Sequence, residues 1–571
     1  MQQTVQSPRL GIVRSVTGSK LTAFLAASGT TNGRSDFDGE AIQIGDLVRI
    51  PRRGSDVYGI VHGMRIEQDA SHPAGELRIA DIQLLGEVTH TNGGSRPRFE
   101  RGVSKHPALG SPIYTTSHDD LELVYAPPNT STVRIGSLAQ DQTVPAYLLT
   151  DELLCKHFAI LGTTGCGKSC TVALVLRSIL EHHPQGHIVV LDPHNEYVRA
   201  FGDQAEVIGA DDLDLPYWVL NFEESASLMT MPSSDTRQQE TAILKNAILE
   251  ARQKYNASRD SAYITVDTPS PYRIGDVLRY IDQKMGELNK ADTSVPFLRL
   301  KARIEALGTD KRLGFIFPGH MVRDNLHEIL SRLLRVPVSG KPLTLLDISG
   351  MPGEVVDVVI SVICRMIFDY AVWSDRTRQA PVLLVCEEAH RYVPQAEGAG
   401  FEPTKRALGR IAKEGRKYGI SLCLVTQRPS ELSMSILSQC NTLFALRMSN
   451  ERDHDFVKNA LPESAQSFLS ALPSLRTQEA IVMGEGVSVP MHVRFDELAA
   501  AHRPHSASAA FSDAWRRPDA DHAILLAETI KRWRFQGRVM QEPGAALRSI
   551  VDSRSRGTAP SPLRSKFDSN S

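Results

Sequence analysis

The sequence predicts an α/β domain carrying a helical insertion and preceded by a small all-β domain. Three observations carry this. Short strand-like runs fill residues 10–90. A glycine-rich segment, Gly162-Thr-Thr-Gly-Cys-Gly-Lys-Ser169, sits between an apolar run and a helix-patterned stretch. Four amphipathic stretches between 223 and 340 then separate that segment from a later set of apolar strands.

In chain order, Leu10–Arg14, Lys20–Phe24, Asp46–Ile50, Val57–Val61 and Glu76–Leu85 are runs of strand formers separated by Gly, Ser, Asn and Asp clusters. Strands this short at this spacing suggest a small barrel, placed at 1–110. A connector with Pro, Gly and Ser is expected at 111–150. The α/β core is expected at 151–500. Phe158–Leu161 and His187–Asp192 are its first strands, and Leu343–Ile348, Val382–Val385, Ser421–Thr426 and Thr442–Arg447 its later ones. Between them Glu240–Arg252, Ile274–Leu288, Phe297–Leu307 and Asn325–Leu334 place apolar residues three and four apart, the spacing of one helix face. They form an insertion at about 223–340. A helical extension at 501–551, with a helix over Ala520–Trp533, precedes a polar, basic tail at 552–571, which is expected to be disordered. The helix is expected to bury Ile524, Leu525, Ala527 and Ile530 against the core or a neighbouring subunit.

The chain has 571 residues, enough for several domains, and its 41% hydrophobic and 23% charged content is that of a globular protein. A net charge of −2 gives no global nucleic-acid signature, so any DNA contact must be local. The seven cysteines are scattered without a CxxC pair, which fits a reducing compartment and argues against a structural metal site. The N-terminus lacks a basic-then-apolar signal pattern. The most apolar stretch, Val355–Phe368, is broken by Asp357 and Arg365 and falls short of the ~20 residues that span a bilayer. A cytoplasmic protein with no membrane partner is expected.

The glycine-rich segment matches the phosphate-binding pattern in every fixed position: Gly162, Gly167, Lys168 and Ser169. Backbone N–H groups of Gly162, Thr163, Thr164, Gly165, Cys166, Gly167, Lys168, Ser169 and Cys170 would surround a triphosphate, aided by the helix N-terminus. Lys168 is expected on the β- and γ-phosphates and Ser169 on Mg²⁺. The run Pro381-Val-Leu-Leu-Val-Cys-Glu-Glu-Ala-His390 is an apolar strand ending in two carboxylates. Glu387 would approach the Mg²⁺ shell through water, and Glu388 would orient or deprotonate the attacking water. Glu387 stands where many nucleotide hydrolases have Asp. Asp192 and Glu196, at the end of the strand after the phosphate loop, could position water, metal or a neighbouring subunit. Gln427, at the end of Ser421–Thr426, could sense the γ-phosphate. Thr404–Tyr418 carries Leu408, Ile411 and Ala412 as a stripe and turns several cations outward. A ring motor needs a guanidinium reaching into the next subunit's site, and Arg416 and Arg410 are both candidates.

Taken together, GTTGCGKS, LDPHNEY, LLVCEEAHRYVP, KEGRKYGISLCLVTQRP and LFALRMSNERD resemble the HerA family of FtsK–HerA-type hexameric ATPases. The likeness runs from the β-rich N-terminus to about residue 495, and Arg134–Leu138 and Ala146–Leu148 resemble the family's lead into the phosphate loop. The resemblance implies a RecA-like P-loop ATPase core behind a HerA/ATP-synthase-type barrel, with ATP and Mg²⁺ as cofactors. It implies Glu388 as catalytic, Gln427 as sensor and Arg416 as the trans finger. It also implies a homo-hexamer that moves duplex DNA through a central pore beside a nuclease or an anti-phage defence effector. A different reading makes the ring a scaffold that regulates a separate effector, a nuclease or a sirtuin-like NAD hydrolase, with little processive motion. A conjugative-type coupling ATPase is a further alternative, disfavoured by the lack of a membrane segment.

Overall fold

The computed structural model describes residues 8–535 except 26–41, 69–75, 91–96, 232–234, 258–262, 288–293, 318–321, 397, 462–465, 506–510 and 517–518. The expected basic tail at 552–571 lies outside the described residues.

Seven N-terminal strands form one antiparallel sheet: β1 (Arg9–Thr17), β2 (Lys20–Leu25), β3 (Leu47–Arg52), β4 (Ser55–Gln68), β5 (Glu76–Thr89), β6 (Phe99–Arg101) and β7 (Pro112–Thr115). Their order is β2-β1-β7-β3-β4-β5-β6, and β2 also pairs with β5, which closes six of them into a barrel. β4 and β5 have 14 residues each. Register shifts at Tyr58/Gly59 and Val61/Gly63 bend that pair as closure requires. Leu21, Ala23, Val48, Ile50, Val57 and Ile82 fill the interior.

The expected connector at 111–150 is instead built into both sheets. β7 pairs with β1 and β3 and completes the barrel. β8 (Thr132–Leu138) and β9 (Pro145–Leu149) form a hairpin. The hairpin joins the central sheet through β18 (Met491–Phe495). The physical signal was the alternation in β8, where Val133, Ile135 and Leu138 are buried. Between β7 and β8 the turn of helix His118–Val124 is closed by a Ser117–Asp120 capping box. Asp120 also accepts the Tyr58 hydroxyl at 2.7 Å, tying this segment to the barrel.

The remaining strands of the central sheet are β10 (His157–Leu161), β11 (Ile188–Asp192), β12 (Ala205–Ile208), β13 (Leu343–Asp347), β14 (Val382–Cys386), β15 (Ile420–Thr426), β16 (Cys440–Leu446) and β17 (Glu479–Gly484). The order is β12-β13-β11-β14-β15-β10-β16-β17-β18-β8-β9. The run from β12 to β16 is parallel, and the rest is antiparallel. Every residue of β10, β11, β14 and β15 is buried. Parallel strands covered on both faces read as unbroken apolar runs for this reason. Successive residues of β10 serve opposite cores: Ala159 and Leu161 on one face, Phe158 and Ile160 on the other.

The insertion contributes helices Arg237–Tyr255, Ile274–Gly286, Val295–Thr309 and Leu326–Leu334, with Leu244, Ile248, Ile281, Leu300 and Ile329 in the first core. Arg365 fastens it to helix Gly353–Trp373, meeting buried Glu224 at 3.0 Å and donating to the Val219 carbonyl at 2.8 Å. This explains the charge that interrupts the apolar stretch. Among the described residues no helix is long and apolar enough to cross a membrane. The helix expected over Thr404–Tyr418 is an α-helix over Glu402–Glu414 followed by a 3-10 turn, Gly415–Tyr418, which ends at Gly419 in the left-handed region at φ 69°. The described residues from 511 to 535 belong to a second unit. Its helix Asp519–Phe535 exposes Ile524, Leu525, Ala527 and Trp533 and half-buries Ile530 within the single chain.

Candidate active site

The C-terminal ends of β11, β14, β15, β10 and β16 face one crevice, where side chains of an open α/β sheet meet ligands. β10 runs into the glycine-rich loop, and helix Lys168–His182 starts from Gly167 in the left-handed region at φ 105°. Gly165 is also left-handed, and a Cβ there would stand in open space above the loop. The loop therefore presents a bare backbone cradle at a 15-residue helix N-terminus, an arrangement suited to anions. The Thr163 amide and hydroxyl both donate to the Arg447 carbonyl at 3.1 Å, pinning the loop to β16. Lys168 is buried, and its ammonium donates to the Thr163 carbonyl at 3.2 Å. Cys166 packs its side chain beneath the loop and offers only backbone to the cradle.

Asp192 ends β11 fully buried and is consumed by local structure. Its carboxylate accepts the amides of His194 and Glu196 at 3.2 Å and of Tyr197 at 3.0 Å. Burial raises its pKa, and those three N–H groups oppose the rise. The turn it organises presents Glu196, which accepts the Ser169 hydroxyl at 2.5 Å, and Tyr197, which donates to Glu387 at 2.6 Å. Glu387 is buried, and loss of hydration pushes its carboxyl up to about 8, with Glu388 and Glu196 adding to the rise and the Tyr197 bond opposing it.

Glu388 is buried and held in the left-handed region, φ 52° and ψ 46°. That is an uncommon conformation for a residue with a Cβ, and one that clusters at functional sites. Its Oε1 accepts the Gln427 amide at 2.6 Å, and the Gln427 carbonyl accepts the Thr164 hydroxyl. A bridge thus runs from the tip of the loop to the second carboxylate. Its Oε2 has no hydrogen bond, and the nearest cation-capable atom is His390 Nδ1 at 3.3 Å.

The structure therefore brings together Lys168, Ser169, Asp192, Glu196, Glu387, Glu388 and Gln427. It does not bring Arg416 or Arg410 to them. Arg416 is exposed in the turn before β15, at the far end of the strand from Gln427. Arg410 stacks its guanidinium 4.3 Å above the Phe368 ring. Tyr197, His390, Thr426 and Arg447 belong to the site and were not singled out in the sequence. All four stood inside the quoted motifs, Tyr197 directly after Glu196 and His390 two residues after Glu388.

Fold and crevice together define a P-loop nucleoside triphosphatase, an ATPase with a parallel core sheet and an N-terminal barrel. The chain is similar to the HerA family: residues 133–367 match the family described as the central domain of helicase HerA. It is 28% identical over 424 residues to the DNA double-strand break repair helicase HerA of Pyrococcus furiosus, covering 68% of this chain and 74% of that one. A probable helicase of Methanocaldococcus jannaschii is 25% identical over 480 residues, covering 80% and 87%. VirB4 of Thermoanaerobacter pseudethanolicus superposes with a TM-score of 0.46 at 16% identity, covering 66% of this chain and 99% of that one.

Proposed function

We propose that this chain hydrolyses ATP with Mg²⁺ to drive a ring of identical subunits, a hexamer, along duplex DNA. The supporting observation is the Thr164–Gln427–Glu388 bridge, which couples the phosphate-binding loop directly to a buried carboxylate. ATP fits the open cradle at Gly165 and Gly167. Mg²⁺ fits beside the Ser169–Glu196 pair. Among the described residues no group of three or more His, Cys, Asp or Glu could hold a metal, so the cation would share its sphere with phosphate and water. Bound Mg²⁺ would neutralise charge building on the β- and γ-phosphates.

In this reading Lys168 leaves the Thr163 carbonyl for the β- and γ-phosphates, and Ser169 leaves Glu196 for the cation. Glu387 would help hold the cation through water. Glu388 Oε2, the orphaned oxygen, takes the proton of the attacking water, and Gln427 turns from Glu388 to the γ-phosphate. Arg416 serves the next subunit's site. β15 has seven residues and spans about 23 Å, which places Arg416 beyond reach of its own crevice. Arg410 is held on Phe368 and is the lesser candidate.

DNA as the track, and a nuclease or defence effector as the partner, rest on the family resemblance and on relatives named as DNA repair helicases. The test is ATP turnover with and without duplex DNA, joined to co-purification with the products of neighbouring genes. Turnover that DNA leaves unchanged, in a ring that captures and controls an effector, would favour the scaffold reading.

A further inference from the structure

His390 lies one turn beyond the two carboxylates and is assigned nothing by the reading above. We propose that His390 is the positioning residue that keeps Glu388 aimed when Gln427 departs. The inference rests on Glu388 being the base.

The geometry is a short chain of atoms. His390 Nδ1 lies 2.9 Å from the Thr426 hydroxyl and 3.3 Å from Glu388 Oε2. The Thr426 hydroxyl is itself fixed, because it accepts the Arg428 amide at 3.0 Å. A bare Nδ1 lone pair would repel the carboxylate oxygen it faces, so Nδ1 carries the proton, donates it to Thr426 and holds its positive end beside Glu388 Oε2. Burial lowers the imidazole pKa, which favours the neutral ring and so places the second lone pair on Nε2.

The need for a second holder follows from Gln427. Its amide donates to Glu388 Oε1 and its carbonyl accepts from Thr164. It cannot keep both bonds and also meet a γ-phosphate. Once it turns, His390 is the side-chain donor left beside the carboxylate among the described residues. The backbone supports this division of labour. Thr426, which fixes the imidazole, and Gln427, which leaves, are consecutive residues at the end of β15. Glu388 and His390 are joined by a single residue in a 3-10 turn. Holder and sensor therefore share one strand end, and the base can pass from one to the other without moving the loop.

The test uses the full chain and four proteins: wild type, His390→Ala, His390→Asn and Glu388→Gln. The Asn amide places an N–H donor near where Nδ1–H stood. His390→Ala is expected to lower kcat about tenfold or more, part of the effect of general-base catalysis, with KM for ATP and the melting temperature close to wild type. His390→Asn is expected to recover most of the loss. Wild-type kcat in His390→Ala, equal losses in Ala and Asn, or a KM that rises in step with the loss of kcat would overturn the inference. Glu388→Gln separates the two levels. If it is inactive while His390→Ala is fully active, only the role of His390 falls. If it turns over at the wild-type rate, the base assignment fails and this inference with it.

Discussion

Arg416 and Gln427 stand at opposite ends of one buried strand, β15, the first in the turn that enters it and the second at the residue that leaves it. A single copy therefore has the loop, the proposed base and the proposed sensor in one crevice and its candidate guanidinium at the opposite end of the strand. This predicts that activity requires two copies. Arg416→Ala and Lys168→Ala should each lose most ATP turnover alone, and mixing them should restore part of it, because some interfaces then join an intact loop to an intact arginine. Arg410→Ala should stay near wild type. Absence of rescue after subunit exchange would put the finger elsewhere.

The orphaned Glu388 oxygen and the buried Lys168 should separate binding from turnover. Glu388→Gln keeps the shape but cannot accept a proton, so it should bind ATP while turnover falls at least ~10²-fold. Lys168→Ala should lose affinity instead. Equilibrium binding of a labelled ATP analogue beside steady-state hydrolysis reads both.

Glu387 predicts a pH dependence of stability. Its folded pKa, about 8, lies above the ordinary carboxyl value of 4.5. Between those values the folded chain holds a proton that the unfolded chain has lost, so this group's contribution falls as pH rises through the window. His157 and His390, both lowered by burial, act with the opposite sign below the ordinary imidazole value. Comparison with Glu387→Gln isolates the carboxyl. The variant should gain melting temperature relative to wild type as pH rises from 5 to 8, measured without nucleotide. A constant difference would contradict the buried, proton-holding carboxyl.

The Glu224–Arg365 pair should hold the insertion to the core. Glu224→Ala leaves Arg365 largely buried with only Asp369 for charge compensation. Removing one partner of a buried pair costs about 3 kcal/mol, and Arg365→Met, which removes the charge itself, should cost less. Urea denaturation of the two variants gives the comparison.

Much of this site was legible because its parts are local. The glycine spacing, the paired carboxylates at a strand end and the amide after Ser421–Thr426 are each contiguous in sequence, and the parallel sheet brings their C-terminal ends together. What was not legible is side-chain pairing across the crevice. Nothing local says that Tyr197 reaches Glu387 across 190 residues of sequence. The connector was misread for a similar reason. β8 pairs with β18, more than 300 residues later, so the hairpin's partner strand lay outside any local pattern.

Salt should act on the DNA step alone. Stimulation of ATPase by linear duplex should fade with ionic strength, as phosphate contacts are screened, while basal hydrolysis changes little. Equal stimulation by closed circular DNA would argue against threading of ends through a preformed ring.

The most direct measurement is displacement of a third strand from a linear duplex. The account predicts that wild-type protein with ATP and Mg²⁺ strips the third strand, that Glu388→Gln binds the same duplex and strips none, and that the rate tracks ATP turnover. A ring that hydrolyses ATP at its full rate on that duplex and leaves the third strand in place would contradict a motor that moves along DNA.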